Sequence, residues 1–131
     1  MSRENVETVR RCLEAIGSED LDAPVRLFHR DIVFVPPGDQ APYEGAQSLR
    51  RWMEPDAFQG HVVRPLEMVV VTDRTILARL HVTARGRTSG IELDVMSWSV
   101  WTFNEDGLVT RIEIYLDHEK DKALEAVGLR E

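Results

Sequence analysis

Two segments near the C-terminus alternate apolar and polar residues, and the polar positions carry side chains capable of proton transfer. Residues two apart on a β-strand lie on the same face of a sheet. One such set comprises Arg79, His81, Thr83 and Arg85; the other comprises Arg111, Glu113, Tyr115 and Asp117. Imidazole and carboxylate groups are the usual acids and bases of enzymes. The face is either the solvated side of an antiparallel sheet or the polar lining of a cavity.

Other residue types define weaker candidates. Tyr115 shares the face of Asp117 and has a hydroxyl group that can donate a hydrogen bond. The aromatic residues that can line an apolar pocket, or else pack in the core, are Tyr43, Trp52, Phe58 and Trp98, with Met53 and Trp101 beside them in sequence. The histidines match no recognised spacing of metal ligands, so we expect no metal and no cofactor.

Composition excludes several classes of protein. The 131 residues include 16 Lys and Arg against 23 Asp and Glu, a formal net charge of -7 that disfavours binding to nucleic acid. The first residues lack the apolar core of a signal peptide, and no apolar run reaches the roughly 18 residues of a membrane span. The single cysteine, Cys12, cannot form an intrachain disulfide. We expect one cytoplasmic domain over residues 1–131.

The N-terminal half has the apolar spacing of helices. Val6, Val9, Leu13 and Ile16 recur every three or four residues, and Gly17 follows them. A short second helix is predicted from Asp20 or Asp22 to about residue 28, then a strand over residues 32–35 and a loop over residues 39–44. Residues 45–53 form a third predicted helix, which Pro55 ends.

The remainder has the spacing of strands. Four β segments, residues 62–71, 75–85, 91–103 and 108–117, are joined by connections too short for crossover helices, which predicts an antiparallel meander. Within the third segment the apolar parity switches at Val95-Met96, which predicts a β-bulge or a bend. A short helix over residues 122–127 closes the chain. Helices followed by a long antiparallel sheet indicate an α+β fold.

Several segments together resemble the SnoaL-like domain of the nuclear transport factor 2-like superfamily. They are residues 27–34 (LFHRDIVF), 43–50 (YEGAQSLR), 103–109 (FNEDGLV), 115–117 (YLD) and 123–129 (ALEAVGL). The resemblance implies a cone-shaped fold whose N-terminal helices pack on a strongly curved antiparallel sheet and enclose a pocket. It also implies a small apolar organic ligand or substrate and a homodimer. Because relatives of this fold differ in function, the fold alone does not identify the activity.

Comparison with individual members of the superfamily implies roles for particular residues. Ketosteroid isomerases carry their catalytic groups at positions that align with Cys12, Pro36 and Ser99, and these residues disfavour that chemistry. Limonene epoxide hydrolase-like proteins carry an Arg-x-Asp pair at the position of Arg79 and His81, where this chain has histidine in place of aspartate, and a final aspartate at Asp117.

SnoaL-like polyketide cyclases are similar in pairing a late-strand aspartate with a pocket histidine. This likeness implies that Asp117 is a general base, with His81 or Arg79 stabilising an enolate. Asp117 is equally well placed to cap the final helix. Three functions therefore stay open: a cofactor-independent cyclase, isomerase, lyase or epoxide hydrolase; a non-catalytic ligand-binding module; and a dimeric interaction module.

Overall fold

The computed structural model describes residues 2–18, 22–38, 40–53 and 58–129, with the side chains of residues 2, 17, 18, 52, 53 and 58–60 excepted. The described residues form four helices: α1 (Ser2–Ser18), α2 (Asp22–Val25), α3 (Ala46–Met53) and α4 (Lys120–Ala126). The strands are β1 (Phe28–Val35), β2 (Tyr43–Glu44), β3 (Phe58–Thr72), β4 (Thr75–Gly86), β5 (Glu92–Phe103) and β6 (Val109–Leu116). A 3₁₀ turn, Asp117–Glu119, joins β6 to α4. None of the described helices is long and apolar enough to cross a membrane.

The six strands form one open, curved sheet in the order β2-β1-β6-β5-β4-β3. Strands β3 to β6 pair antiparallel in sequence order, which confirms the predicted meander and the α+β class. Strand β1 lies parallel to β6, with Phe34 opposite Ile112. The sequence analysis did not predict this pairing, because a parallel contact between distant segments has no local signature in the sequence.

The main hydrophobic core lies between the sheet and the N-terminal helices. The sheet surface that faces this core is called the inner face here. The buried residues of this core come from α1, α3 and four strands: Val9, Cys12, Leu13, Phe28, Ile32, Phe34, Ala46, Leu49, Ile76, Ala78, Leu80, Trp101, Phe103, Val109 and Ile112. Apolar residues at helical spacing in α1 and alternate residues of the strands therefore bury one continuous surface.

The opposite surface of the sheet, called the outer face here, is covered in part by α4. Leu77, Trp98 and Val100 form a second, smaller core with Ala123 of α4. Farther along β4 and β5 most outer-face residues are polar or charged, among them Thr83, Arg85 and Asp94, although Met96 lies opposite His81. The outer face thus changes from an apolar patch under α4 to a more open polar surface, whereas the inner face keeps its apolar residues.

The predicted bulge at Val95-Met96 is wrong. Strands β4 and β5 pair without a register shift from Thr75 opposite Thr102 to Arg85 opposite Glu92. The apolar parity switches in the sequence because the middle of β5 is buried on both faces, by the main core on one side and by α4 on the other. Register shifts occur instead in β3, in β1 and at the Thr102/Phe103 position of β5.

Several predicted boundaries also differ. Strand β1 begins at Phe28, so α2 is shorter than predicted, and the predicted loop contains the two-residue strand β2. The final helix begins at Lys120. The prediction that Asp117 caps this helix is wrong, because the 3₁₀ turn already includes Asp117 and the side chain of Asp117 contacts Arg79 instead.

Candidate functional site

Arg79 and Asp117 meet on the outer face across strand β5. The Arg79 Nη2 atom lies 3.3 Å from Asp117 Oδ1, and the two side chains are 35% and 51% exposed. Arg79 comes from β4, and Asp117 follows directly after the end of β6. Because the pair is open to solvent, its Coulomb attraction is screened and the carboxylate is not desolvated.

His81 has different partners from those the sequence analysis considered. Its Nε2 atom lies 2.7 Å from Asp94 Oδ1, and Arg64 Nη2 lies 3.3 Å from its Nδ1. A guanidinium group can only donate, so Nδ1 accepts from Arg64 and, in the neutral imidazole, Nε2–H donates to Asp94. The structure therefore shows His81 in a chain of contacts across β3, β4 and β5, beside the Arg79–Asp117 pair.

Trp98 lies beside Arg79, its register partner on the outer face. Its side chain is almost fully buried, and the Arg79 guanidinium carbon lies 5.6 Å from the ring centroid. Lys120 Nζ lies 5.5 Å from the same centroid, a distance at which cations and aromatic rings attract each other. Trp98 was predicted to line an apolar pocket, and the structure places it under the start of α4 on the outer face.

Tyr115 is the register partner of Trp98 on β6. Its hydroxyl donates to Glu113 Oε1 at 3.1 Å. Burial, together with the charge of Glu113, raises the pKa of Tyr115 to about 12. The hydroxyl group therefore stays protonated at neutral pH and is a hydrogen-bond donor committed to Glu113.

The remaining aromatic candidates lie elsewhere. The ring of Tyr43 packs at 6.2 Å from that of Phe34, against the inner-face core. Trp101 is buried in that core. The side chains of Trp52, Met53 and Phe58 lie outside the described part of the chain, although their backbones belong to α3 and β3.

The buried polar groups of the inner face are satisfied within the protein. Ser99 Oγ donates to the Ala78 carbonyl at 3.3 Å and accepts a 2.8 Å hydrogen bond from Trp101 Nε1. Burial raises the pKa of Cys12 to about 12, so its thiol is a packing group at neutral pH. Cys12 and Ser99, two of the three residues at the ketosteroid isomerase positions, thus have structural roles in this face.

A cavity of about 350 Å³ opens beside the main core, between α2, β1 and the start of α3. We call it the α2–α3 cavity. Its walls combine apolar core residues with polar residues: Val25, Phe28, Arg30, Glu44, Gly45, Ala46, Gln47 and Ser48. Small-molecule sites typically have volumes of about 300–1,000 Å³ and a mainly apolar lining. The sequence analysis missed this cavity, because its walls come from four separate elements.

Potential metal ligands are dispersed over the described structure. Within residues 2–18, 22–38, 40–53 and 58–129, no three His, Cys, Asp or Glu side chains are grouped so as to hold a metal ion. Arg64 and Asp94 were also missed as partners of His81. Asp94 lies on the same polar face in the sequence alternation, whereas the position of Arg64 depends on register shifts in β3, one of which follows Pro65, a residue typical of bulges and edge strands.

Comparison with known proteins gives a family assignment. The family model described as SnoaL-like domain matches residues 9–112, which is most of the chain. No curated protein matches the sequence. The family match covers the second half of α1, the meander up to the middle of β6, and the walls of the α2–α3 cavity.

Solved structures of the same fold are numerous, and three illustrate the range. An epoxide hydrolase/cyclase-like enzyme with a role in pyran ring formation in the polyether salinomycin is 14% identical, with a TM-score of 0.78 over 87% of this chain and 91% of that chain. A protein from Jannaschia sp. CCS1, assigned to the SnoaL-like polyketide cyclases, is 16% identical, with a TM-score of 0.78 over 92% and 90% of the two chains.

The third structure contains a bound small molecule. A Mycobacterium tuberculosis protein in complex with estradiol-17beta-hemisuccinate is 16% identical, with a TM-score of 0.76 over 86% of this chain and 92% of that chain. At these identities the similarity establishes the fold, which is that of the nuclear transport factor 2-like proteins.

Proposed function

The chain belongs to the SnoaL-like domain family, and from this premise we propose that it binds a small apolar organic molecule in the α2–α3 cavity. The observation that carries the proposal is the position of this cavity against the main core. Phe28 and Ala46 belong both to the buried inner-face core and to the cavity wall. A ligand seated there removes apolar surface from water, at about 25 cal/mol per Å² buried.

The polar residues of the cavity favour a ligand with a mostly apolar body and few polar groups. Arg30 is highly exposed, so it lies at the rim rather than in the floor. Glu44 and Gln47 are exposed as well. Polar groups at a rim orient a ligand by hydrogen bonds, while the apolar floor supplies most of the binding free energy.

A structural neighbour supports the same class of ligand. The M. tuberculosis protein of this fold was crystallised with a steroid derivative. A steroid is largely apolar and carries polar groups at its ends, as the cavity requires. We therefore propose steroid-like compounds as the first probes.

Filling the cavity tests this proposal. Ala46→Leu adds volume to the buried wall, and Ala126→Leu makes the same change on the exposed side of α4. We expect estradiol, titrated by calorimetry, to bind the wild-type protein and the Ala126→Leu control alike. Its affinity for Ala46→Leu should fall about tenfold or more, a loss of at least ~1.4 kcal/mol. Equal affinity of all three proteins would contradict the proposal.

A second candidate is the acid–base chemistry predicted for Asp117, assisted by Arg79 and His81. The 3.3 Å contact between Arg79 and Asp117 favours it, because a guanidinium group beside a carboxylate can stabilise an enolate that the carboxylate forms. The half-exposed position of Asp117 makes it the second choice, because the Arg79–Asp117 pair is open to water and does not enclose a substrate.

Proton exchange distinguishes this candidate from binding alone. The α-protons of a ketone probe in D₂O should exchange about 100-fold more slowly with Asp117→Asn than with wild-type protein if Asp117 is a base. Asp121→Asn, on the exposed side of α4, is the matched control. The absence of protein-dependent exchange, or an equal rate with Asp117→Asn, would exclude this chemistry for the ketone tested.

A further inference from the structure

Two buried tryptophans on β5 differ in whether their N–H groups have acceptors. Trp101 faces the main core and donates from Nε1 to Ser99 Oγ at 2.8 Å. Trp98, three residues earlier and on the outer face, is only 6% exposed, yet its Nε1 atom has no hydrogen-bond partner. A buried N–H group without an acceptor costs about 1–3 kcal/mol, so its presence on Trp98 requires an explanation.

A second donor without a partner lies beside the first. The Nε atom of Arg79, the register partner of Trp98, is also buried and makes no hydrogen bond. The rest of the Arg79 guanidinium contacts Asp117 through Nη2 alone. Arg79 Nε–H and Trp98 Nε1–H are therefore two donors without acceptors on one face of the sheet. Neither group can accept a hydrogen bond from the other.

The charges around these donors favour an anionic acceptor. The cationic groups of Arg79 and Lys120 both lie within 5.6 Å of the Trp98 ring centroid. Within the described part of the chain, no carboxylate pairs with Lys120. Asp117 partly neutralises Arg79, and Glu67, the exposed partner of Arg79 on β3, adds a screened negative charge.

We propose that Arg79 and Trp98 bind the carboxylate group of a small molecule, with Arg79 Nε and Trp98 Nε1 donating to its oxygen atoms. Such charge-assisted hydrogen bonds are stronger than neutral ones. The site lies on the outer face, separate from the α2–α3 cavity, and does not depend on the ligand proposed there. Because both donors are covered, the ligand enters when an overlying side chain moves. Lys120, which is exposed and lies over the Trp98 ring, is the side chain placed to do so.

The indole N–H resonances report directly on this site. In protein labelled with ¹⁵N-tryptophan, we expect sodium acetate and sodium benzoate to shift the Trp98 Nε1–H signal saturably, while the Trp101 signal stays in place. Sodium chloride at equal ionic strength is the salt control. Trp98→Phe and Trp101→Phe assign the signals. Trp101→Phe should leave benzoate affinity unchanged, whereas Trp98→Phe should lower it about tenfold, the loss of ~1.4 kcal/mol.

Two further variants keep the proposal testable if Trp98→Phe fails to fold. Arg79→Lys keeps the charge but removes Nε, and should weaken the binding of benzoate about tenfold. Asp117→Asn removes the carboxylate that competes with benzoate for Arg79, and should strengthen the binding of benzoate several-fold. A Trp98 signal that moves with chloride as much as with carboxylate would overturn the proposal. So would an unmoved signal at 100 mM benzoate, which would leave an internal water as the acceptor.

Discussion

The two faces of the sheet satisfy their buried groups in different ways. The inner face is apolar, is covered by the N-terminal helices and pairs its polar side chains internally, as Ser99 and Trp101 do. The outer face carries ion pairs open to solvent, and under α4 it leaves two N–H donors without acceptors. The difference indicates that the inner face determines stability, whereas the outer face is the less constrained of the two.

The comparison predicts very different costs for neighbouring residues of β4. Leu80 is buried in the inner-face core, and His81 points to the outer face. Leu80→Ala should lower the free energy of unfolding by about 2–5 kcal/mol, because it removes buried methyl groups and leaves a cavity. His81→Ala should cost about 1 kcal/mol or less, since Arg64 and Asp94 are exposed and regain water. Urea denaturation measures both changes, and equal costs would contradict the division into two faces.

The two tryptophans of β5, one on each face, should differ by a smaller amount in their effect on the free energy of unfolding. Trp101→Phe removes the N–H group that donates a hydrogen bond to Ser99 Oγ, whereas Trp98→Phe removes an N–H group that has no acceptor. The two substitutions delete the same atoms from buried rings. In buffer without carboxylates, Trp101→Phe should therefore destabilise the protein by about 1–2 kcal/mol more than Trp98→Phe. Thermal or urea unfolding of the pair tests this, and the reverse order would mean that Trp98 already has an acceptor in solution.

The smallest predicted loss of stability concerns the link between β6 and α4, the helix that covers part of the outer face. Glu119 Oε1 accepts a hydrogen bond from the Leu116 N–H at 3.0 Å, and Lys122 lies 3.4 Å from Oε2. The Leu116 hydrogen bond and the Lys122 charge lower the pKa of Glu119 below its ordinary value of 4.5. The carboxylate thus stabilises the fold above pH 4.5, and this contribution disappears as the pH falls through the lowered pKa.

Glu119→Gln checks this link. It should reduce stability by about 1 kcal/mol or less at pH 7, where Glu119 is ionised, and the difference from wild type should shrink toward pH 3. Asp121→Asn on the exposed side of α4 is a control for the change in helix charge. A difference between Glu119→Gln and wild type that does not change with pH would show that the carboxylate charge has no part in holding α4.

Much of the fold was predictable because it depends on local periodicity. The spacing of Val9 and Leu13 predicts α1, and the alternation around Leu80 predicts β4 with its correct inner face. The parallel pairing of β1 with β6 was not predictable, because it joins segments about 80 residues apart in the chain without a local pattern. The switch of parity in β5 was misinterpreted, since burial on both faces gives the same pattern as a bulge.

The candidate site was predictable only in part. Strand register brings Asp117 alongside Arg79, as the alternation indicated, but it gives His81 the partners Arg64 and Asp94. Alternation shows that residues share a face, and it does not show whether that face is covered by helices or by solvent. Catalysis by Arg79, His81 and Asp117, and a homodimer, stay predictions.

The central claim is that the ligand binds beside the main core and not at the polar residues of the outer face. The most direct test is the chemical-shift map of the ¹⁵N- and methyl-labelled protein as estradiol is added. The account predicts the largest shifts at Val25, Phe28 and Ala46, with Leu77 and Asp117 unmoved. Shifts centred on Arg79 and Asp117, with the α2–α3 cavity unchanged, would contradict it and would move the functional site to the outer face.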